Sequence, residues 1–119
     1  MTRTVLVVDD SSLQRTIITG ALDDRFEVVG EAENGREAVE LFESTRPDLV
    51  TMDIMMPEMD GVEATSRIKS LADETKVMMC TSVEQAEKMK AAVRAGADEY
   101  VTKPFDEDDL VDTATVLCH

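Results

Sequence analysis

Residues 51–61, TMDIMMPEMDG, complete an apolar run begun at Leu49 and Val50, then break to an acid, methionines and a turn. A strand covered on both faces reads as a near-continuous apolar run, so residues 48–52 predict a strand buried within a parallel sheet. Asp53 marks the point where the chain leaves that strand, and Asp60-Gly61 is a turn signal before the next helical pattern. Open α/β sheets bind their ligands at the carboxyl ends of such strands. The stretch alone leaves two aspartates, Asp53 and Asp60, between which to choose.

Working outward, the same alternation recurs. Thr4–Val8 is almost wholly β-branched or aliphatic, as a doubly covered strand should be. Residues 26–30 are more mixed and suit a sheet edge, and 76–80 and 99–102 complete a set of five strands. Between them apolar residues recur at helical spacing: Ile17, Ala21 and Leu22; Ala38, Leu41 and Phe42; Val62, Thr65 and Ile68–Leu71; Ala86, Met89 and Val93; Leu110, Ala114 and Leu117. Asn34 with Glu37 offers a cap, Gly96 a helix stop, and Asp106-Glu107-Asp108 an acidic helix start. Five β-α units predict an α/β fold: a doubly wound, five-stranded parallel sheet with five helices on two faces. No linker or low-complexity stretch interrupts the 119 residues, so residues 1–119 read as a single domain with no attached output domain.

Composition excludes several functions. The formal net charge is −14, from 26 acidic and 12 basic residues. Phosphate backbones and anionic lipid surfaces would repel such a chain, which argues against nucleic acid and membrane association. No run approaches the roughly 20 apolar residues of a membrane helix and no signal-peptide pattern opens the chain, so a cytoplasmic monomer is expected. The excess of acid suggests adaptation to high intracellular salt, which screens self-repulsion. Cys80 and Cys118 have neither metal-ligand spacing nor a disulfide framework; Cys80, after Val77-Met78-Met79, reads as a small buried hydrophobe.

The residues at the strand ends carry the chemistry. The first strand ends in Asp9-Asp10, the third in Asp53, the fourth in Thr81-Ser82 and the fifth in Lys103-Pro104. Were these strands neighbours, three carboxylates, a hydroxyl and an ammonium would meet at one edge. Carboxylates that close raise one another's pKa unless a positive charge lies among them. A hard divalent cation is the natural remedy: Mg²⁺ takes oxygen ligands, keeps waters and is completed by phosphate oxygens. A carboxylate beside it could then accept a phosphoryl group covalently.

With VLVVDD, TMDIMMPEMDG, CTS and YVTKPF in this order over almost the whole chain, the sequence resembles the response-regulator receiver domains of two-component signalling, and among them the stand-alone chemotaxis regulators. That resemblance implies a flavodoxin-like fold with strand order 2-1-3-4-5, and it assigns roles. Asp53 would be the phosphoacceptor. Asp10 would bind Mg²⁺ directly, Asp9 would assist, and Met55 would offer its backbone carbonyl. Lys103 would pair with phosphoryl oxygens, Thr81 would swing its hydroxyl onto them, and Tyr100 would rotate inward behind it. Ser82 stands where many relatives have alanine, and Pro104 matches a cis-proline. The implied partners are a histidine kinase (CheA-like) as phosphodonor, a flagellar- or archaellum-type motor switch or adaptor protein as output, and a phosphatase to help reset the switch.

Each residue also has a plainer reading. Asp9 or Asp10 could cap the first helix. Thr81 or Ser82 could open a capping box with Glu84 or Gln85. Lys103-Pro104 could be a turn, Tyr100 an edge aromatic, and Met52, Met78 and Met79 fillers of the core. A phosphorelay intermediate shares every site residue with a chemotaxis regulator. An aspartate-nucleophile phosphatase would need a second carboxylate two residues after Asp53, where Met55 stands. A flavodoxin would need phosphate donors after the first strand, where Asp9-Asp10 would repel the ligand.

Overall fold

The computed structural model describes residues 2–118, except the side chain of Ala86, so its expected place in a helical stripe lies outside the described residues. Along the chain run β1 (Arg3–Val8), α1 (Ser12–Leu22), β2 (Phe26–Ala32), α2 (Gly35–Thr45), β3 (Leu49–Met52), α3 (Gly61–Leu71), β4 (Lys76–Ser82), α4 (Ala86–Arg94), β5 (Glu99–Lys103) and α5 (Glu107–Leu117). All strand pairs are parallel, and the sheet order is β2-β1-β3-β4-β5. The expected architecture is the observed one. The sheet order reverses direction at β1 and β3, which diverge toward opposite edges; there the carboxyl ends open a crevice.

Alternate strand residues feed two cores, because side chains on a strand point to opposite faces in turn. Leu6, Val8, Val50, Met52, Val77 and Met79 pack with Ala38 and Phe42 of α2, Ala64 and Ile68 of α3 and Ala92 of α4. Val5, Val7, Leu49, Met78, Cys80 and Val101 face Ile18 and Leu22 of α1 and Leu110 and Ala114 of α5. β1 and β3 are buried on both faces, which is why their sequences lack alternation. Burying one such aliphatic side chain contributes about 1.5–3 kcal/mol.

Caps explain several helix boundaries. Ser11 accepts from the Gln14 amide at 3.2 Å, so the hydroxyl rather than Asp9 or Asp10 caps α1. Asn34 and Asp60 cap α2 and α3 by accepting from the Glu37 and Glu63 amides at 2.8 and 2.9 Å. Gly96 follows α4 at φ 113°, a left-handed turn that suits glycine. The expected capping box at α4 does not form: residues Val83–Gln85 make a single 3₁₀ turn first, and Thr81 contacts the Gln85 side chain. Some helical stripes are rotated from expectation. Ile18 enters the core whereas Ile17, Val93 and Leu71 are exposed. Short helices offer two near-equivalent apolar arcs, and packing selects one of them.

Candidate functional site

β1 and β3 are central neighbours, and their ends deliver the acids. The Asp9 amide still pairs with β2 through the Ala32 carbonyl at 3.0 Å, and the Asp53 amide pairs with the Val8 carbonyl at 3.1 Å. Each acid is therefore held by the last rung of the ladder while its side chain projects beyond the sheet. Asp9, Asp10 and Asp53 each offer a carboxylate oxygen within 4.8 Å of the others. Asp9 and Asp53 are buried and Asp10 is exposed.

Lys103, at the end of β5, reaches into this group. Its Nζ lies 2.6 Å from Asp9 Oδ2 and 3.6 Å from Asp53 Oδ1. Asp9 Oδ1 accepts from the Ser11 amide at 2.9 Å, so both oxygens of Asp9 are committed. Asp53 Oδ1 accepts from the Ile54 amide at 2.9 Å. The Lys103-Pro104 peptide is cis.

The electrostatics follow from burial. Burial pushes the Asp53 carboxyl up to about 6; the Lys103 ammonium and the Ile54 amide oppose the rise, and the carboxylates of Asp9 and Asp10 add to it. Lys103 is held above its ordinary value: burial pulls it down, but the hydrogen bond to Asp9 and the charges of Asp53 and Asp9 outweigh that. Cys80, beneath the site, is pushed up to about 12 by burial and stays a neutral thiol. One ammonium does not balance three acids. An all-oxygen set, partly buried with one exposed member, fits a small hard cation that keeps some of its water.

The remaining expected residues surround this centre at different depths. Thr81 is buried at the end of β4, one step from Ser82, which pairs with Lys103 in the β4–β5 register. Tyr100 is 50% exposed on β5, in an outward orientation. Met55 lies two residues past Asp53 with its side chain exposed. Asp60 belongs to the cap of α3 and not to the acid cluster.

Sequence reasoning missed two supports of the site. Gly61 presses on the backbone just past β3: a Cβ there would lie 1.9 Å from the Asp53 carbonyl oxygen, and the Gly61 amide donates to the Ile54 carbonyl at 2.8 Å. The turn signal was visible, but the close approach was not. Arg15 on α1 donates to the Asp9 carbonyl at 2.7 Å. An arginine on a short amphipathic helix gives no signal of its own.

A doubly wound sheet carries an acid triad and a lysine at its switch point, and the chain belongs to the response regulator receiver domain family, whose model matches residues 5–115. The individual relatives narrow this to the CheY type. The chain is 52% identical to the chemotaxis protein CheY of Halobacterium salinarum over 112 residues, covering 94% of this chain and 93% of that one. It is 42% identical to CheY of Bacillus subtilis over 113 residues, covering 94% of each. Among solved structures, a CheY-like receiver domain from Methanospirillum hungatei superposes with TM-score 0.91 at 26% identity, covering 98% and 93% of the two chains. CheY in the CheX-CheY-BeF3-Mg²⁺ complex from Borrelia burgdorferi gives TM-score 0.89 at 28% identity, covering 97% and 88%. Among the described residues no helix is long and apolar enough to cross a membrane.

Proposed function

We propose that this receiver domain takes a phosphoryl group from a histidine kinase onto Asp53 and thereby switches its affinity for a partner in chemotaxis control of a flagellar- or archaellum-type motor. The observation that carries the proposal is the shared edge: Asp9, Asp10 and Asp53 within 4.8 Å of one another, with the Lys103 ammonium beside two of them. The Asp53 oxygen attacks phosphorus in line as the histidine N–P bond breaks, leaving an acyl phosphate and a free imidazole. A carboxyl near 6 is predominantly ionised at neutral pH, as a nucleophile must be. Lys103 offers its ammonium to the transferring oxygens, in place of the charge that Asp53 loses as it is acylated. Asp9 keeps Lys103 aimed, while Asp10, Asp53 and the Met55 carbonyl would hold Mg²⁺ beside it. Bound Mg²⁺ supplies the positive charge that lowers repulsion between acids and phosphoryl oxygens.

The output follows from where Thr81 and Tyr100 sit. Between α4 and β5 lies a cavity of about 310 Å³ lined by Val83, Met89, Val93 and Tyr100, with Thr81 at its inner end. When Thr81 leaves Gln85 for the phosphoryl group, Tyr100 gains room to turn inward, and this face changes shape. A ligand biases two pre-existing conformations only by its differential contacts with them, and the Thr81 hydroxyl provides one. The similarity to chemotaxis CheY proteins supports a role in chemotaxis, and the existence of a CheX-CheY complex in Borrelia burgdorferi supports a protein partner. Slow hydrolysis, alone or with a phosphatase, resets it.

The test is direct. Incubation with Mg²⁺ and a small acyl phosphate should add one phosphoryl group, mapped by mass spectrometry to Asp53. Asp53→Asn should abolish it; absence of an adduct in wild type, or an equal yield in the variant, refutes the assignment. A phosphorelay role would show instead as rapid onward transfer of the group to a histidine-containing acceptor protein.

A further inference from the structure

β1 stops at Val8, so the Asp9 carbonyl lies beyond the ladder although the Asp9 amide is still within it. Arg15, one turn into α1, takes the place of a strand partner. Its Nη1 donates to the Asp9 carbonyl at 2.7 Å and its Nε donates to Glu31 Oε1 at 3.1 Å. The guanidinium side chain is 16% exposed, and Glu31 sits near the end of β2, paired in register with Val7. One planar fork therefore ties together α1, the end of β1 and the end of β2. A guanidinium fixes two directions at once, which a lysine does not.

The tie matters because of what the next residue does. The Asp9 carboxylate is anchored by Lys103 and the Ser11 amide. Asp10 is exposed, and its direction is set by the peptide that joins it to Asp9. That peptide is the one whose carbonyl Arg15 holds. Resting on the Mg²⁺ reading above, we infer that Arg15, backed by Glu31, is a positioning residue for the cation: it fixes the Asp9-Asp10 peptide so that the Asp10 carboxylate points toward Asp53. Glu31 also balances a positive charge that would otherwise face the incoming cation. Two effects of removing Arg15 oppose each other. Loss of a nearby cation alone would tighten Mg²⁺ binding, whereas loss of positioning weakens it, and the geometry assigns the outcome to positioning.

Isothermal titration of Mg²⁺ into the full chain, with no phosphodonor, separates these. Arg15→Ala should weaken Mg²⁺ binding about tenfold, the lower end for groups that orient metal ligands. Arg15→Lys should recover part of this, since an ammonium still reaches one acceptor. Glu31→Gln should weaken binding by about threefold, by loosening the fork and uncovering its charge. The deficit in adduct formation with a small acyl phosphate should close at saturating Mg²⁺, because Arg15 touches no reacting atom. An unchanged or tighter Mg²⁺ affinity in Arg15→Ala overturns the inference, as does a lower melting temperature with no change in affinity. If wild type binds Mg²⁺ and forms the adduct while Arg15→Ala matches it, the Asp53 assignment stands and only the positioning role falls. Failure of wild type to bind Mg²⁺ sinks both. Should Arg15→Ala not fold, Arg15→Lys and Glu31→Gln carry the comparison.

Discussion

Replacing Asp53 by Asn should make the metal-free protein more stable, although it destroys the proposed phosphoacceptor. The Asp53 carboxyl is raised from 3.8 to about 6, first by burial and then by Asp9 and Asp10, against the pull of Lys103 and the Ile54 amide. In the unfolded chain it ionises near its ordinary value, so between about pH 4 and pH 6 the folded state retains a proton that the unfolded state has lost. Stability falls as pH rises through that window, and above it the deficit is constant. Two pH units correspond to about 3 kcal/mol at most; because the edge is open to water at Asp10, screening leaves about 1–2 kcal/mol. Asn keeps the shape and carries no charge. At pH 7.5 in EDTA, urea or thermal unfolding followed by circular dichroism should show Asp53→Asn more stable by that amount, or several degrees in melting temperature. Near pH 3.5 the two proteins should unfold together. Mg²⁺ should reverse the order at pH 7.5, since it stabilises whichever folded protein binds it more tightly. Equal stability at pH 7.5 without metal, or an advantage of the same size at pH 3.5, would refute the reasoning.

Gly61→Ala should cost about 2–3 kcal/mol in urea unfolding and sharply slow adduct formation, because its Cβ would meet the Asp53 carbonyl oxygen at 1.9 Å. Glu58→Gly should stabilise by about 0.5–1 kcal/mol, since Glu58 occupies the left-handed region at φ 67° and its contacts with Asn34 and Arg36 are weak or exposed; unfolding midpoints measure this. Lys69→Met should cost about 2–3 kcal/mol while leaving phosphorylation near wild type: Lys69 Nζ bridges Asp98 at 2.7 Å and the Thr75 carbonyl at 2.6 Å, and touches none of the acid cluster. Raising KCl from 0.1 to 1 M should lift the wild-type melting temperature by at least a few degrees, as expected for a net charge of −14; a flat or falling curve rejects the salt-adaptation reading.

The central strands were legible because burial on both faces leaves a plain imprint: Val5 to Val8 and Leu49 to Met52 could hardly face water. The acids at their ends were legible for the opposite reason, since a carboxylate directly after such a run needs an explanation. Helix faces were harder. Ile17 and Ile18 are adjacent and equally apolar, and only the packing of α1 against α5 puts Ile18 inside. The start of α4 was not legible: Thr81 and Ser82 resemble caps, whereas a 3₁₀ turn intervenes and Thr81 faces Gln85. Arg15 and Gly61 act through backbone carbonyls of Asp9 and Asp53, and contacts with main chain leave no pattern in side-chain identity.

The ion pair between Lys103 and Asp9 joins residues 94 positions apart. β1 precedes the other strands in the chain yet lies inside the sheet, between β2 and β3, so it must wait for β3 to cover one side. The lysine arrives only with the final strand. Until β5 joins the sheet, Asp9 and Asp53 have no ammonium beside them. Under the proposed function, competence to accept the phosphoryl group is therefore acquired only once β5 has joined the sheet.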